Sequence, residues 1–394
     1  MKHVATAVAD SSVQQKINDM NAGWRNEIAT VLGMDKKTFQ LAQGTLGLQG
    51  SDSSGLFLMA DAVPPESVVA YYDPSGKNAR STAYNQLLHA MLPSTSSGLS
   101  AALGPMYAKW IIYRNADTSD LSQQALFEKW ANRNLDPNKI TAALTAFKAA
   151  ASDPLNLALD AYIDPAFQTQ FVDDTNNAYS LRNYSCTITD ATNAINTGGG
   201  PVTINFNSST ADSSSNGTTV SGSASGFYDI FSGGASGSFT QLSQKAASSD
   251  FVIKGTIDKH ATVPANAGGW YDGSMVSRAW NGKNNNTIWD PNSNMGSWDS
   301  FFSVTGSLAR RASQLLLVSG YDLTVTSTAT YSESDYTRIQ TEASFGVWPF
   351  FSASASATHT QSYAHNEDGT LSVRYQLNQG LIAIWGATIQ SAPN

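Results

Sequence analysis

Apolar positions change their spacing about midway along the chain. From Ser12 to about Val172 they recur at steps of three and four. Val13, Ile17, Met20, Trp24, Ile28 and Leu32 form one such series, and Leu99, Leu103, Met106 and Trp110 another. Leu121, Ala125, Phe127 and Trp130, then Ile140, Leu144 and Phe147, continue the pattern. Each set falls on one face of a helix. Pro64-Pro65, Asp73-Pro74-Ser75-Gly76, Asp136-Pro137 and Asp153-Pro154 supply the breaks and helix starts. Residues 1–175 are therefore predicted as a helical domain.

Beyond about residue 176 the period falls to two. Tyr184 to Ile188, Val202 to Phe206, Phe251 to Ile257, Leu315 to Thr328, Leu371 to Leu377 and Leu381 to Ile389 are rich in β-branched and aromatic residues, the composition of strands. The stretches from Asn193 to Pro201 and from Asn207 to Asn216 read as loops. Residues 176–394 are predicted as a β domain with an aromatic-rich insert at 264–312. The expected fold class is α+β: an N-terminal helical bundle, then a mainly antiparallel β domain with two pseudo-repeated long hairpins.

The repeat is visible by inspection. FYDIFSGGASGSFTQ at 227–241 aligns without a gap with VWPFFSASASATHTQ at 347–361, 120 positions on. Phe231 matches Phe351, Ala235 matches Ala355 and Thr240 matches Thr360. Further on, Phe251, Ile253 and Lys254 match Leu371, Val373 and Arg374. On a strand, Phe351, Ala353, Ala355, Ala357, His359, Gln361 and Tyr363 share one face, and Ser352, Ser354, Ser356, Thr358, Thr360 and Ser362 the other. Two readings follow: a sheet whose Ala face is packed and whose hydroxyl face is wet, or a hairpin that enters a bilayer. A buried methylene is worth about 0.8 kcal/mol, so an Ala and Gly face has little to gain from lipid. Phe231, Phe239, Trp348, Phe350 and Phe351 are the larger residues of these hairpins and the candidates for membrane or assembly contacts. In general plan, a helical bundle followed by a β module with two long hydroxyl-rich hairpins resembles some β-pore-forming toxins, a likeness of architecture that carries no functional residue across.

Between the repeats the insert concentrates Trp270, Tyr271, Trp280, Trp289 and Trp298 with Asp272, Asp290 and Asp299. Aromatic faces beside carboxylates are what a sugar ring requires, and Trp and Tyr also suit a membrane interface. The same rings could instead form the core of an irregular insert. Asp290, Asn292 and Asn294 are spaced like calcium ligands, but Gly296 falls one place late and Phe301 stands where a bidentate Glu belongs, which favours an Asx-rich turn. His359 and His365 are about 20 Å apart along one strand, too far to share a metal.

Charge narrows the function classes. The net charge of -8 and pI near 5.0 exclude a nucleic-acid binder, for which clustered Lys and Arg are needed. Charged residues make up 14% of the chain, against an average of about 25%, and Ser, Thr, Asn, Gly and Ala fill the difference. One cysteine, Cys186, allows no intrachain disulfide and no thiolate metal cluster. No apolar run reaches the length of a transmembrane helix, and the short one after Lys2 and His3 predicts no cleavable signal peptide, so any release is expected by a non-classical route. Nucleophile elbows, phosphate loops, zincin motifs and dinucleotide fingerprints are absent, and no cofactor is expected.

The expectation is a soluble, non-enzymatic membrane- or surface-targeting effector of pore-forming-toxin type, a homo-oligomer that binds a glycan or lipid headgroup through the Trp-rich insert. The alternatives are a self-assembling structural protein and a lectin or glycan-active enzyme using Asp272, Asp290 and Asp299.

Overall fold

The first apolar series does form a helix. In a computed structural model of the chain, α1 (Ser11–Val31) buries Ile17, Met20, Trp24 and Ile28 along one face. The structure describes all residues except 1–10, 49–51, 68–69, 71–78, 94–95, 118, 152, 174, 215–236, 343–345, 352–359 and 393–394. After α1 the chain departs from the helical expectation: β1 (Phe39–Leu48) is a strand of the main sheet. Then follow α2 (Ser54–Asp61), α3 (Arg80–Ala90), α4 (Ser96–Leu103), α5 (Met106–Ala116), α6 (Gln123–Asn134), α7 (Pro137–Ala150) and α8 (Pro154–Ile163). The two Asp-Pro pairs act as read: Asp136 and Asp153 accept from the backbone N–H groups of Asn138 and Leu155, with Pro in the first turn. Leu99, Leu103, Trp110, Phe127, Trp130 and Phe147 from α4 to α7 close a core of their own.

A small hairpin, β2 (Gln168–Val172) and β3 (Ala178–Arg182), leads into the second half. There Tyr184 to Ile188 is not a strand. Tyr184 makes a single bridge to Ala267, and Thr187 forms a capping box with Asp190 that starts α9 (Ile188–Thr197), so the expected loop from Asn193 is helical up to Thr197. The remaining elements are β4 (Val202–Asn207), α10 (Gly237–Ala247), β5 (Phe251–Pro264), α11 (Gly273–Asn281), α12 (Trp298–Phe302), β6 (Arg310–Thr330), α13 (Glu333–Glu342), β7 (Gly346–Val347), β8 (Phe350–Phe351), β9 (Thr360–His365) and β10 (Thr370–Ser391). The protein is α+β: a helical N-terminal region and a mainly antiparallel sheet of long strands, in order β1-β10-β6-β5-β4, with β9 also on β10.

β6 runs through the centre, and its two halves differ. From Leu315 to Tyr321 every side chain is buried, because the sheet is covered on both faces. Leu316 and Val318 face the core made with α1, α10 and α13, and Leu315 and Leu317 face the core made with α2, α3, α8, α9, α11 and α12. From Asp322 onward burial alternates, so only one face is covered. The other face is polar: Thr203 and Asn205 on β4, Lys254 and Thr256 on β5, Thr324 and Thr326 on β6, Ser372 and Arg374 on β10, Thr360 and Ser362 on β9.

A line of irregularity separates the halves. Gly320 on β6 has φ 63 and Gly380 on β10 has φ 86, a conformation open to glycine at little cost. At the same level the β10–β6 register slips between Leu377 and Ile382. Asp258 lies against Gly320 and accepts from Gln379 Nε2 at 2.9 Å, while the Gly380 N–H donates to Ser319 Oγ at 3.2 Å.

Candidate functional site

The aromatic insert is a packed cap. Trp270 is 0% exposed; its Nε1 donates to the Asn183 carbonyl at 2.7 Å, and Tyr84, Tyr162, Tyr184 and Tyr271 surround its ring at centroid distances of 5.8, 6.3, 5.6 and 5.7 Å. It offers no open face to a sugar. Trp289 donates to the Gly282 carbonyl and stacks on Phe301, and Trp298 donates to the Trp280 carbonyl with its ring 5.2 Å from that of Trp280. Trp280, Trp289 and Trp298 are half-buried, and Lys283 Nζ covers Trp298 at 3.8 Å.

The three carboxylates serve three separate ends. Asp272 caps α11 by accepting from the Ser274 N–H at 2.8 Å. Asp290, 8% exposed, accepts from the Asn292 N–H at 2.9 Å and from Asn115 Nδ2 at 3.3 Å, which forms the Asx turn and ties the insert to α5. Asp299 is exposed and lies 3.7 Å from Lys283. The structure thus brings Trp270 together with Tyr271, and Trp280 with Trp298, while each carboxylate keeps a local partner.

The hairpin residues are placed differently. Phe231 lies outside the described residues. Phe239 falls on α10, so the first arm of the first repeat is helical from Gly237, a correction to the strand expected there. Gln241, Leu242, Gln244, Lys245, Ala246 and Ala247 are good helix formers, and the burial of Leu242 and Ala246, one turn apart, decides for a helix. Trp348 is buried against Phe206 and Phe251 and donates to Asn21 Oδ1 at 2.7 Å, and Phe350 and Phe351 form β8. In β9 the expected parity holds, with Thr360 and Ser362 exposed and Tyr363 packed against the core.

The repeat becomes geometry on β6. Phe251 and Leu371 both pair with Ser327, Ile253 and Val373 with Val325, Lys254 and Arg374 with Thr324, and Ile257 and Leu377 with Tyr321. Strands β5 and β10 thus flank β6 in one register, displaced by the 120 positions that separate the repeats. The chain matches no known protein family, no curated protein and no solved structure. Its functional reading rests on its own geometry.

That geometry sets two long connections side by side. Residues 208–250 join β4 to β5, and residues 331–369 join β6 to β10; Asn207 pairs with Val252 and Thr330 with Thr370, so both leave from the same end of the sheet. Their described residues are anchored at several points: in the second connection β9 pairs with β10, and Tyr331 and Trp348 are buried in the sheet core. Leu242, Ala246 and Ala247 of α10 and Ile339 of α13 are buried against the sheet. Lys245 pairs with Asp335 at 3.6 Å and Lys16 with Asp250 at 3.0 Å, exposed pairs of the kind that contribute about 1 kcal/mol or less. Sequence reading missed the line at Asp258, Gly320 and Gly380; the signal was present as glycines inside strand-forming runs.

Proposed function

We propose that this chain is a non-enzymatic effector that engages membranes by converting residues 208–250 and 331–369 into two hairpins that prolong the sheet. The observation that carries the reading is the common register of β5 and β10 on β6, with both connections leaving from one end. Each connection has roughly 40 residues. Drawn out as a hairpin at about 3.3 Å per residue, one would reach about 65 Å, against a hydrocarbon layer of about 30 Å. In this state α10 unwinds, and β9 leaves the flank of β10 to continue it. Alternating Ala and Ser then supplies one weakly apolar and one hydroxyl face.

The small apolar face limits what one copy gains from lipid, and open strand edges in a bilayer are costly. Insertion therefore requires several copies whose hairpins close on each other. Dye-loaded phosphatidylcholine liposomes test the reading: leakage with regular ring-shaped particles is the expected result. Intact liposomes together with regular particles formed without lipid would favour the self-assembling alternative.

A further inference from the structure

At the end of β6 remote from the two connections, three arginines meet in one pocket, a feature independent of the hairpin reading. Arg80 opens α3, and Arg310 and Arg311 open β6; Tyr271 and Ser277 complete the polar wall of a narrow cleft open to solvent. Arg80 is only 5% exposed, with its guanidinium 4.2 Å from the Tyr271 ring centroid. Arg310 is held by the carbonyls of Pro64 and Val304 and feels the charge of Glu66.

Arg80 and Arg311 differ from Arg310. Among the described residues neither has a hydrogen bond or an ion pair to a carboxylate, although they are close enough that the charge of Arg80 adds to burial in lowering the pKa of Arg311. Asp272, on the same stretch as Tyr271, is occupied by the Ser274 N–H and does not line the pocket. Cations withdrawn from water without a counter-charge are unfavourable, and each guanidinium presents a planar fork that fits two oxygens of an anion. Two guanidinium forks on the wall of one cleft, neither paired with a carboxylate among the described residues, fit a dianion better than a carboxylate, and phosphate carries about -1.5 to -2 at pH 7.

We propose that the pocket between α3, α11 and the start of β6 binds an oxyanion of phosphate or sulfate type, held by Arg80 and Arg311 with Arg310 adding to the field. The interior is little larger than a water molecule, so the anionic group sits in the open mouth of the cleft and the rest of a larger ligand stays outside. The test is calorimetric titration of the full chain with inorganic phosphate, sulfate and chloride at one ionic strength. It is paired with sedimentation on phosphatidylcholine vesicles with and without phosphatidylinositol phosphate. Saturable phosphate binding, at least tenfold weaker in Arg311→Gln and in Arg80→Gln, is the expected result. Arg311 lies at a partly exposed strand end, so its replacement is expected to disturb the fold less than that of the buried Arg80, and a melting curve of each variant checks this. Arginine-dependent retention on the phosphoinositide vesicles assigns the site to a lipid headgroup, and binding of free phosphate alone assigns it to a soluble ligand. Heat no greater for phosphate than for chloride, or affinity unchanged in Arg311→Gln, would overturn the proposal.

Discussion

His89 shows how burial can make one residue sensitive to acid. It sits in the last turn of α3 beside Arg114, and its Nδ1 finds no hydrogen-bond partner among the described residues. Burial first, then the Arg114 charge, push its pKa down to about 4, against smaller opposing effects from Asn115 and Asp117. An unfolded His titrates near 6.5. Between about pH 6.5 and about 4 the unfolded chain therefore binds a proton that the folded chain refuses. Folding stability is full above that window and falls as pH drops through it, by up to about 3 kcal/mol from this group. His260, lowered by its own burial, acts in the same direction. Urea unfolding of the wild type and of His89→Gln at pH 7.5 and 4.5 checks this: the wild type is expected to lose about 2–3 kcal/mol more than the variant. Residue-scale roles were the least legible part of the sequence. The Trp-rich run looked like a ligand surface because Tyr84, Tyr162 and Tyr184, which bury Trp270, come from three distant segments.

Among the elements, α10 is the one that must change most if the first connection becomes a hairpin. A strand was expected there from the match to 347–361, but Leu242, Ala246 and Ala247 recur at helical spacing and find a core as a helix. Strands β5, β6 and β10 were legible, since their β-branched and aromatic content suits a sheet buried on one or both faces. Strand β1 was not, because its pairing with β10 depends on a segment more than 300 positions away. Leu242 is the largest buried side chain among the described side chains of α10. Leu242→Ala is expected to cost the docking of α10 about 2–4 kcal/mol. Hydrogen exchange should then show amides of Gly237–Ala247 losing protection while those of Phe251–Pro264 keep theirs. Equal loss in both segments would mean that α10 is an integral part of the sheet core.

For the whole molecule, the decisive feature is a central strand with repeated partners on either side. The 120-residue spacing was visible in the sequence, but that both copies share one register on β6 follows only from the pairing. The line at Asp258, Gly320 and Gly380 divides the sheet into an end covered on both faces and an end with one open polar face, and the two connections leave from the open end. The arginine pocket lies at the opposite end, so an anion bound there leaves the connections unobstructed. The most direct measurement places single labelled cysteines at positions 238 to 246, with Cys186 replaced by Ala. In solution the fluorophore emission should follow the helical period, with positions 242 and 246 protected. On leaking liposomes the period is expected to change to strict alternation from one position to the next; a helical period retained there would contradict conversion of α10 into a hairpin arm.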